Sequence, residues 1–396
     1  MSDPLLAYRS EFPILDRTTY LVSNSLGAMP RTVPERLAVY VDEWAELGVK
    51  AWANGWWEMP VTAGNEIAPL LGAQHGELAM VANVTIAQTA VLTALDYAAP
   101  RNTIVMTALD FPSVRYVYDQ LATRLGARIV VVPSDDGIGV DTQRLLDAID
   151  ERTRLVAISH VLFKSAYIVD VEAVCRRAKD VGALVSLDGF HAVGVMPVDV
   201  KKLGVDFYSG GVLKWLCGGP GGCFLYASPE QTARLRPAFT GWQAHERPFG
   251  FEETMDYATG AWRWLNGTPP IPSLYAATEG PRLIRRAGIE RIRAKSTRQT
   301  QRLIELADAR GYPVIAPRAA EHRGGTVALD VPHAYEVAQF LLSRNVIVDY
   351  RPGVGIRIAP HFYTADSELE SAIGLIDESL QTNAWQQFVG KRSTVT

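Results

Sequence analysis

The sequence predicts an α/β protein with a large domain built on a mostly parallel seven-stranded sheet and a smaller α+β domain after it. Between residues 77 and 226, short apolar runs alternate with helical patterns, which is typical of a parallel sheet covered by helices on both faces. After residue 226 this alternation stops, and strand and helix patterns return near residue 325. The length of 396 residues suffices for one large domain with a smaller one attached.

The seven predicted strands of the large domain are short runs rich in apolar and β-branched residues. They lie at residues 78–81, 103–106, 128–132, 155–159, 184–187, 206–208 and 223–226. Helical patterns lie between several of them, for example at residues 85–97 and 171–181. Ligands in such sheets bind at the carboxyl ends of the strands, so we expect functional residues in the loops that follow the strands.

The chain divides into three predicted parts. Residues 1–30 form an arm that includes a short strand at residues 20–22, residues 31–272 form the large domain, and residues 273–396 form the small domain. The small domain opens with an arginine-rich helical pattern. Its further predicted elements are strands at residues 325–329, 347–349 and 355–360 and a helix at residues 334–344.

Composition argues against several classes of protein. The net charge is -4 and no basic cluster is visible, so nucleic acid is not expected as a partner. No run of about eighteen apolar residues predicts a membrane span, and the first residues lack the features of a signal peptide. The three cysteines do not form a disulfide framework. We therefore expect a cytoplasmic protein, and no metal site is predicted.

The stretch at residues 184–222 carries the predicted chemistry. Its first residues predict a buried strand that ends at Asp188, and Lys214 follows beside a glycine-rich run. A strand-end acid followed by such a lysine suits pyridoxal phosphate (PLP), because the lysine binds the aldehyde covalently and the carboxylate keeps the pyridine nitrogen protonated. Alone, a strand-end Asp is more often a cap and a Lys more often a surface charge. The nearby glycines favour a partly desolvated lysine.

Two further residues are candidates from their surroundings. His191 lies three residues after Asp188 and could bond either that carboxylate or a cofactor oxygen. Arg357 lies between two isoleucines on a predicted strand, which is a costly position for a charge unless an anionic partner is present. The catalytic set predicted here is Lys214, Asp188 and His191.

Several motifs, spread over most of the chain, carry a family resemblance. They are SNSLGAMP near residue 24, DFPSVRY near 110, SHVLFKSA near 159, SLDGFHAVGVMPVD and DFYSGGVLKWLCGGPGG at the centre, NGTPPI near 266 and GIRIAP near 355. In these motifs the chain resembles fold-type I PLP-dependent enzymes of the aminotransferase class V group, and within that group it is most similar to kynureninases. The resemblance implies PLP as cofactor and an α-amino acid as substrate.

The resemblance also assigns cofactor contacts. Val84 and Thr85 would bind the phosphate, a role that the free N–H groups at a helix N-terminus also favour. Phe111 would stack on the pyridine ring, Ser165 would place a hydroxyl near the cofactor, and Trp242 would help to close the phosphate site.

Three assignments concern the substrate and the assembly. The resemblance implies that Arg357 binds the substrate α-carboxylate, and that Asn24 contacts the substrate as well. Thr268, in the motif NGTPPI, would reach across an interface to the cofactor of a second subunit. A homodimer with active sites at the subunit interface is therefore expected.

One departure bears on the reaction. Kynureninases carry a tyrosine immediately before the PLP lysine, and this chain has Leu213 there, which cannot bind phosphate or move a proton. We expect kynureninase-like cleavage of an α-amino acid at or beyond Cβ, with kynurenine itself a poor substrate. Transamination by a class V aminotransferase is the alternative. Persulfide chemistry is not expected, because no cysteine follows Cys223.

Three tryptophans lie within six residues, at Trp52, Trp56 and Trp57. Clustered aromatic residues of this kind suit an aromatic substrate pocket, but they are more often part of a core or of a subunit interface. The sequence leaves these alternatives open.

Overall fold

The computed structural model describes residues 3–391, and its strands confirm the predicted fold class. Within this range the strands are β1 (Thr19–Tyr20), β2 (Leu78–Val81), β3 (Thr103–Thr107), β4 (Arg128–Val132), β5 (Thr153–Ser159), β6 (Leu184–Asp188), β7 (Phe207–Gly211), β8 (Cys223–Ala227), β9 (Val327–Leu329), β10 (Val346–Ile347), β11 (Asp349–Arg351) and β12 (Gly355–Ile358). Every strand predicted for the large sheet is present within three residues of its predicted bounds.

The α-helices lie between and after these strands, and short 3-10 helices are present as well. They are α1 (Val33–Leu47), α2 (Met59–Ile67), α3 (Val84–Thr93), α4 (Pro112–Ala122), α5 (Thr142–Asp147), α6 (Val171–Val181), α7 (Val200–Leu203), α8 (Pro229–Arg234), α9 (Ile271–Ala277), α10 (Glu279–Ala287), α11 (Ile289–Asp308), α12 (Ala334–Ser343) and α13 (Asp366–Gln381). Helix α3 ends four residues earlier than the sequence predicts, since the chain leaves the helix at Ala94.

The large sheet has the strand order β2-β8-β7-β6-β5-β3-β4. Strand β8 runs antiparallel to both of its neighbours, and the other pairs are parallel. Apart from the edge strand β4, the parallel strands are mostly buried because apolar clusters cover both faces of the sheet, which explains why they are continuous apolar runs rather than alternating patterns. The carboxyl ends of β5 and β6 lie side by side, with Ser159 paired to Asp188.

A separate three-stranded antiparallel sheet, in the order β11-β12-β9, lies in the C-terminal part. Its apolar side packs with α11, α12 and α13 in a third cluster. The single strand predicted at residues 347–349 is two short strands instead, because β10 pairs in parallel with β1 whereas β11 pairs with β12. The chain near residue 20 therefore packs on the C-terminal part.

Candidate active site

The end of β6 and the loop after β7 bring the predicted acid and lysine into one site. Asp188 is the last residue of β6 and is buried, and its Oδ1 accepts a hydrogen bond from the backbone N–H of Phe190 at 3.0 Å. Lys214 follows β7, the parallel neighbour of β6. Because these two strands run side by side, residues far apart in sequence meet at one edge of the sheet.

Lys214 and His191 are in direct contact. The Lys214 Nζ and His191 Nε2 atoms lie 2.7 Å apart. Burial lowers the pKa of His191 well below its usual value, and the nearby charges of Lys214, Arg357 and Arg351 lower it further. The imidazole is therefore neutral near pH 7 and can accept a hydrogen bond from the lysine amine.

Burial also shifts the pKa values of the lysine and the acid. Although Lys214 is only half-buried as a whole residue, desolvation of its amino group lowers the pKa to about 7, against the attraction of Asp188. Burial raises the pKa of Asp188 to about 6, and the charge of Lys214 opposes this shift. A lysine with this pKa is partly uncharged near neutral pH, and an uncharged amine is the nucleophile that carbonyl chemistry requires.

Aromatic side chains surround the lysine amine. Nζ lies 5.3 Å from the ring centre of Phe111 and 5.4 Å from that of Phe190. The Phe111 ring in turn packs edge-on against Phe163, with ring centres 5.3 Å apart. Phe111, predicted from its motif, is thus beside Lys214, where a flat ring held by the lysine could stack on it.

The turn after β1 is the third component of the site. The Gly27 N–H donates to the Leu213 carbonyl at 2.7 Å, and a Cβ at position 27 would overlap the Lys214 carbonyl oxygen. In the same turn Asn24 is buried, and neither its Oδ1 nor its Nδ2 has a hydrogen-bond partner among the described residues. Buried polar atoms are rarely left unpaired, so this side chain has the capacity to bind a polar ligand.

Arg357 lies on β12 and is paired within the protein. Its Nε donates to Asp349 Oδ1 at 2.6 Å, its Nη2 donates to Asp349 Oδ2, and its Nη1 donates to the carbonyl of Phe163. Both residues of the pair are buried. The anionic partner expected for this arginine is therefore present in the chain itself.

Two residues predicted to bind the cofactor phosphate lie in the first turn of α3. Thr85 lies in the first turn of α3 and is exposed, but the side chain that caps this helix belongs to Asn83, which accepts a hydrogen bond from the Ile86 N–H. Val84 is buried at the first helical position. The N–H groups of the first turn remain suited to a phosphate.

The hydroxyl of Ser165 forms its hydrogen bonds with backbone groups of the protein. Its hydroxyl donates to the carbonyl of Ile138 at 2.5 Å and accepts from the Tyr167 N–H at 3.2 Å. These bonds stabilise the loop after β5, because the serine is buried there. A different hydroxyl residue, Ser159, ends β5 directly beside Asp188. Its position at the end of a predicted strand was the sequence signal that could have placed it near the site.

Trp242 and Thr268 lie at the surface. Trp242 is 44% exposed, and its ring contacts Trp57 and Phe249. Thr268 is exposed as well, in the loop before α9. Among residues 3–391, no hydrogen bond or ring contact joins either side chain to Lys214.

Two buried acids near the site were not predicted from the sequence. Asp110 is buried after β3, and its carboxylate accepts from the backbone N–H groups of Thr107 and Ser159, both at 2.7 Å. Asp349 is the partner of Arg357. An acid in the loop after a predicted strand was the available signal for Asp110, whereas Asp349 could be recognised only from the register of β11 and β12.

These residues fit PLP. A lysine of lowered pKa, a buried acid at a strand end, a flanking aromatic ring and an unpaired buried amide match the groups that the cofactor and an amino-acid substrate present. The fold and the site thus define a PLP-dependent enzyme with a mostly parallel α/β core.

Comparison with known proteins gives the family. The sequence pattern of the family described as "Aminotransferase class-V" matches residues 19–360, and the chain belongs to this family. It is 31% identical to a kynureninase of Burkholderia pseudomallei, covering 97% of this chain and 94% of that protein. A kynureninase of Pseudomonas fluorescens is 32% identical with the same coverage.

Solved structures agree in fold. The cysteine desulfurase of Thermococcus onnurineus NA1 superposes with a TM-score of 0.84 at 24% identity, covering 96% of this chain and 99% of that one. A C-DES variant with glycine covalently linked to its PLP cofactor also has a TM-score of 0.84, at 21% identity, covering 93% of this chain and 99% of that one.

Residues 3–391 lack two kinds of feature. They contain no group of three or more His, Cys, Asp or Glu side chains arranged to hold a metal ion. No helix in this part of the chain combines the length and the apolar character that crossing a membrane requires.

Proposed function

We propose that the chain is a kynureninase-like enzyme that cleaves an α-amino acid at or beyond Cβ. The observation that carries this proposal is the contact between Lys214 and His191, 2.7 Å apart, beside the buried Asp188. The similarity to kynureninases over 97% of the chain supports the same conclusion. Bound PLP supplies the electron sink that carbanion chemistry at an amino acid requires.

Each residue has a role that follows from its surroundings. Lys214, with a pKa lowered by burial to about 7, provides an uncharged amine to hold the cofactor and afterwards to move a proton at its Nζ atom. His191, neutral because of its burial, accepts a hydrogen bond from that amine and orients it. Asp188, buried at the end of β6, would hold the pyridine nitrogen of the cofactor and, when ionised, would keep it protonated.

Other residues in this proposal bind the cofactor or hold the substrate in position. Phe111 stacks on the cofactor ring, and the first turn of α3, at Val84 and Thr85, donates N–H groups to the phosphate. Asn24 offers its unpaired amide to the substrate. Arg357 binds the substrate carboxylate with the N–H groups that Asp349 and Phe163 leave free.

The active unit in this proposal is a homodimer. An apolar surface is formed by Val49, Trp57, Trp242, Phe249 and Phe251, and its outer members Val49 and Phe251 are 82% and 75% exposed. Large exposed apolar surfaces of this kind mark association sites. Thr268 lies in an exposed loop, consistent with a contact to the cofactor of a second subunit. Trp56, in contrast, belongs to a buried core cluster.

The position of the domain boundary and the cellular compartment are also proposals. A small C-terminal domain is supported by its separate apolar cluster, which draws on the chain from Leu303 onwards, whereas Leu274, Leu283 and Ile292 pack in the cluster of the large sheet. The boundary proposed from the sequence, at residue 272, therefore precedes the start of the small domain's own core. A cytoplasmic location is supported by the three cysteines, which are all buried and free.

A product panel tests the reaction. Purified holoenzyme is incubated with kynurenine and other α-amino acids, and the release of alanine, an aromatic acid, pyruvate or another 2-oxo acid is measured by chromatography. Release of alanine together with the remaining part of the side chain supports cleavage beyond Cβ. Release of a 2-oxo acid that needs a second 2-oxo acid as amino acceptor would contradict it.

A second candidate is transamination by a class V aminotransferase. The observation that favours it is Leu213, an aliphatic residue at the position before the lysine, because transamination needs no proton donor there beyond Lys214. Stoichiometric transfer of an amino group to a 2-oxo acid, with no cleavage of a carbon–carbon bond, is the result that would select this candidate.

A further inference from the structure

The small sheet places three charged residues together on one face. Asp349 and Arg357 are directly opposite each other in the pairing of β11 with β12. Arg351 is two residues after Asp349 on β11, so its side chain is on the same face of the strand. Its Nη2 atom lies 3.1 Å from Asp349 Oδ2. One carboxylate therefore contacts two guanidinium groups.

The three charges do not cancel. Arginine stays protonated in proteins, so the two guanidinium groups and the one carboxylate leave one positive charge. The cluster is near the lysine, because Arg357 Nη1 donates to the carbonyl of Phe163, the Phe163 ring packs against Phe111, and Lys214 Nζ lies 5.3 Å from the centre of the Phe111 ring. An unbalanced positive charge next to the reacting amine attracts an anionic group of a ligand.

The two arginines differ in their free hydrogen-bond donors, in their exposure and in how far their charge is compensated. Arg357 has five N–H donors, of which two go to Asp349 and one to the Phe163 carbonyl, so one N–H on each Nη atom remains. Its position is fixed and its charge is neutralised by Asp349. Arg351 donates from Nη1 to the Tyr350 carbonyl, and its side chain keeps 36% of its exposure. Arg351 thus carries the uncompensated charge at an accessible position.

We propose that the carboxylate of the amino-acid substrate is bound by Arg351 and Arg357 together, with Asp349 as the positioning residue that holds Arg357 in place. Arg357 orients the carboxylate, because its own guanidinium is held in place by Asp349. Arg351 contributes the uncompensated positive charge. This assignment rests on the proposed function and deepens it by adding a second recognition residue to the same site. It selects substrates with an ionised carboxylate over their amides.

The test compares binding of an anion with binding of its neutral counterpart. Dissociation constants of phenylacetate and phenylacetamide for the holoenzyme are measured by titration of protein fluorescence, for wild type, Arg351→Gln and Arg351→Lys. We expect Arg351→Gln to weaken phenylacetate binding by about 10-fold to 100-fold, the range for loss of a charge-assisted contact. Phenylacetamide binding should change by less than about twofold, and Arg351→Lys should recover most of the loss because it keeps the charge.

Arg344→Gln is the matched control, because Arg344 is an exposed arginine in the same part of the chain, paired with Glu378 at 2.9 Å. It should bind both ligands as wild type does. The inference is overturned if Arg351→Gln keeps wild-type affinity for phenylacetate, or if it loses affinity for both ligands equally. Since neither ligand is turned over, failure of the proposed reaction appears separately, as a lack of product from any amino acid. With substrate, the loss should appear in KM more than in kcat.

Discussion

Asp349 and Arg357 face each other across two antiparallel strands, and their side chains meet through two hydrogen bonds in a place that water does not reach. We expect the substrate carboxylate to be bound by this arginine. Its orientation depends on Asp349, an acid that is far from Lys214 in sequence. Removing either partner leaves a buried charge without compensation.

The first prediction concerns this pair. Asp349→Asn should lower the free energy of unfolding by about 3–5 kcal/mol, because the buried guanidinium of Arg357 loses its counter-charge. Urea unfolding followed by circular dichroism measures the change. The control is Asp308→Asn, which breaks a pair with Arg318 at the surface and should cost at most about 1 kcal/mol. Equal effects of the two substitutions would show that burial of the first pair is unimportant.

The second prediction concerns Arg357 itself. Arg357→Lys should raise KM by about 10-fold to 100-fold, since an ammonium group cannot give two parallel hydrogen bonds to a carboxylate. The contact with Asp349 persists as a single charge pair, so the folded state should survive. Steady-state kinetics with the best substrate of the product panel measures the effect. An unchanged KM would place the carboxylate elsewhere.

The third prediction concerns the pH at which the lysine reacts. Burial lowers the Lys214 pKa to about 7, below the usual 10.5, so the uncharged amine is present above pH 7 and is lost as the pH falls through this value. The rate at which apoprotein captures PLP should therefore rise with a midpoint near pH 7. Stopped-flow absorbance measures it, and a midpoint near 10 would contradict the lowered pKa. Lys214→Ala should not capture the aldehyde covalently at any pH.

Desolvation sets the direction of the Lys214 pKa shift, and charged neighbours modify its size. Asp188 and Asp349 raise its pKa, Arg351 and Arg357 lower it, and desolvation is the largest influence. Asp188→Asn removes one of the two groups that raise the pKa, so the midpoint of capture should move to lower pH. The same substitution should weaken retention of PLP, because the pyridine nitrogen loses its anionic partner.

The fourth prediction concerns Gly27. Gly27→Ala places a methyl group against the Lys214 carbonyl, so the turn must shift and the stability should fall by about 1–3 kcal/mol. PLP should also bind more weakly, which equilibrium dialysis measures. Gly374→Ala is the matched control: nothing lies within 4 Å of an added Cβ there, and alanine in helix α13 should stabilise by about 0.5–1 kcal/mol.

The fifth prediction concerns Leu213. Leu213→Tyr should raise the rate of kynurenine cleavage, because a positioned general acid is worth about 10² to 10⁴ in rate. Wild type should be slow on this substrate. The change is measured as anthranilate release by fluorescence, with Leu213→Phe as the control that adds the ring without the hydroxyl. Equal rates for the two variants would show that the phenol is not the missing group.

Site residues could be predicted from the sequence where a reactive side chain lies next to a recognisable local structure. Asp188, His191 and Lys214 could be placed because a strand end, its following loop and a glycine-rich turn are all visible along the chain. Asn83 rather than Thr85 caps its helix, since both residue types are good caps and only the backbone decides between them. The partner of Arg357 was not foreseen, because pairing across β11 and β12 depends on strand register, which one sequence does not display.

The short turn around Asn24 and Gly27 has a consequence for how the enzyme matures. It touches the backbone before Lys214, while the preceding residues Leu21 and Val22 bond to Ala359 on the C-terminal sheet. Contacts of such long sequence separation form late and slowly. The turn that contacts the backbone beside Lys214 is therefore completed only with the packing of the C-terminal sheet, and we expect tight retention of PLP only after both parts have folded.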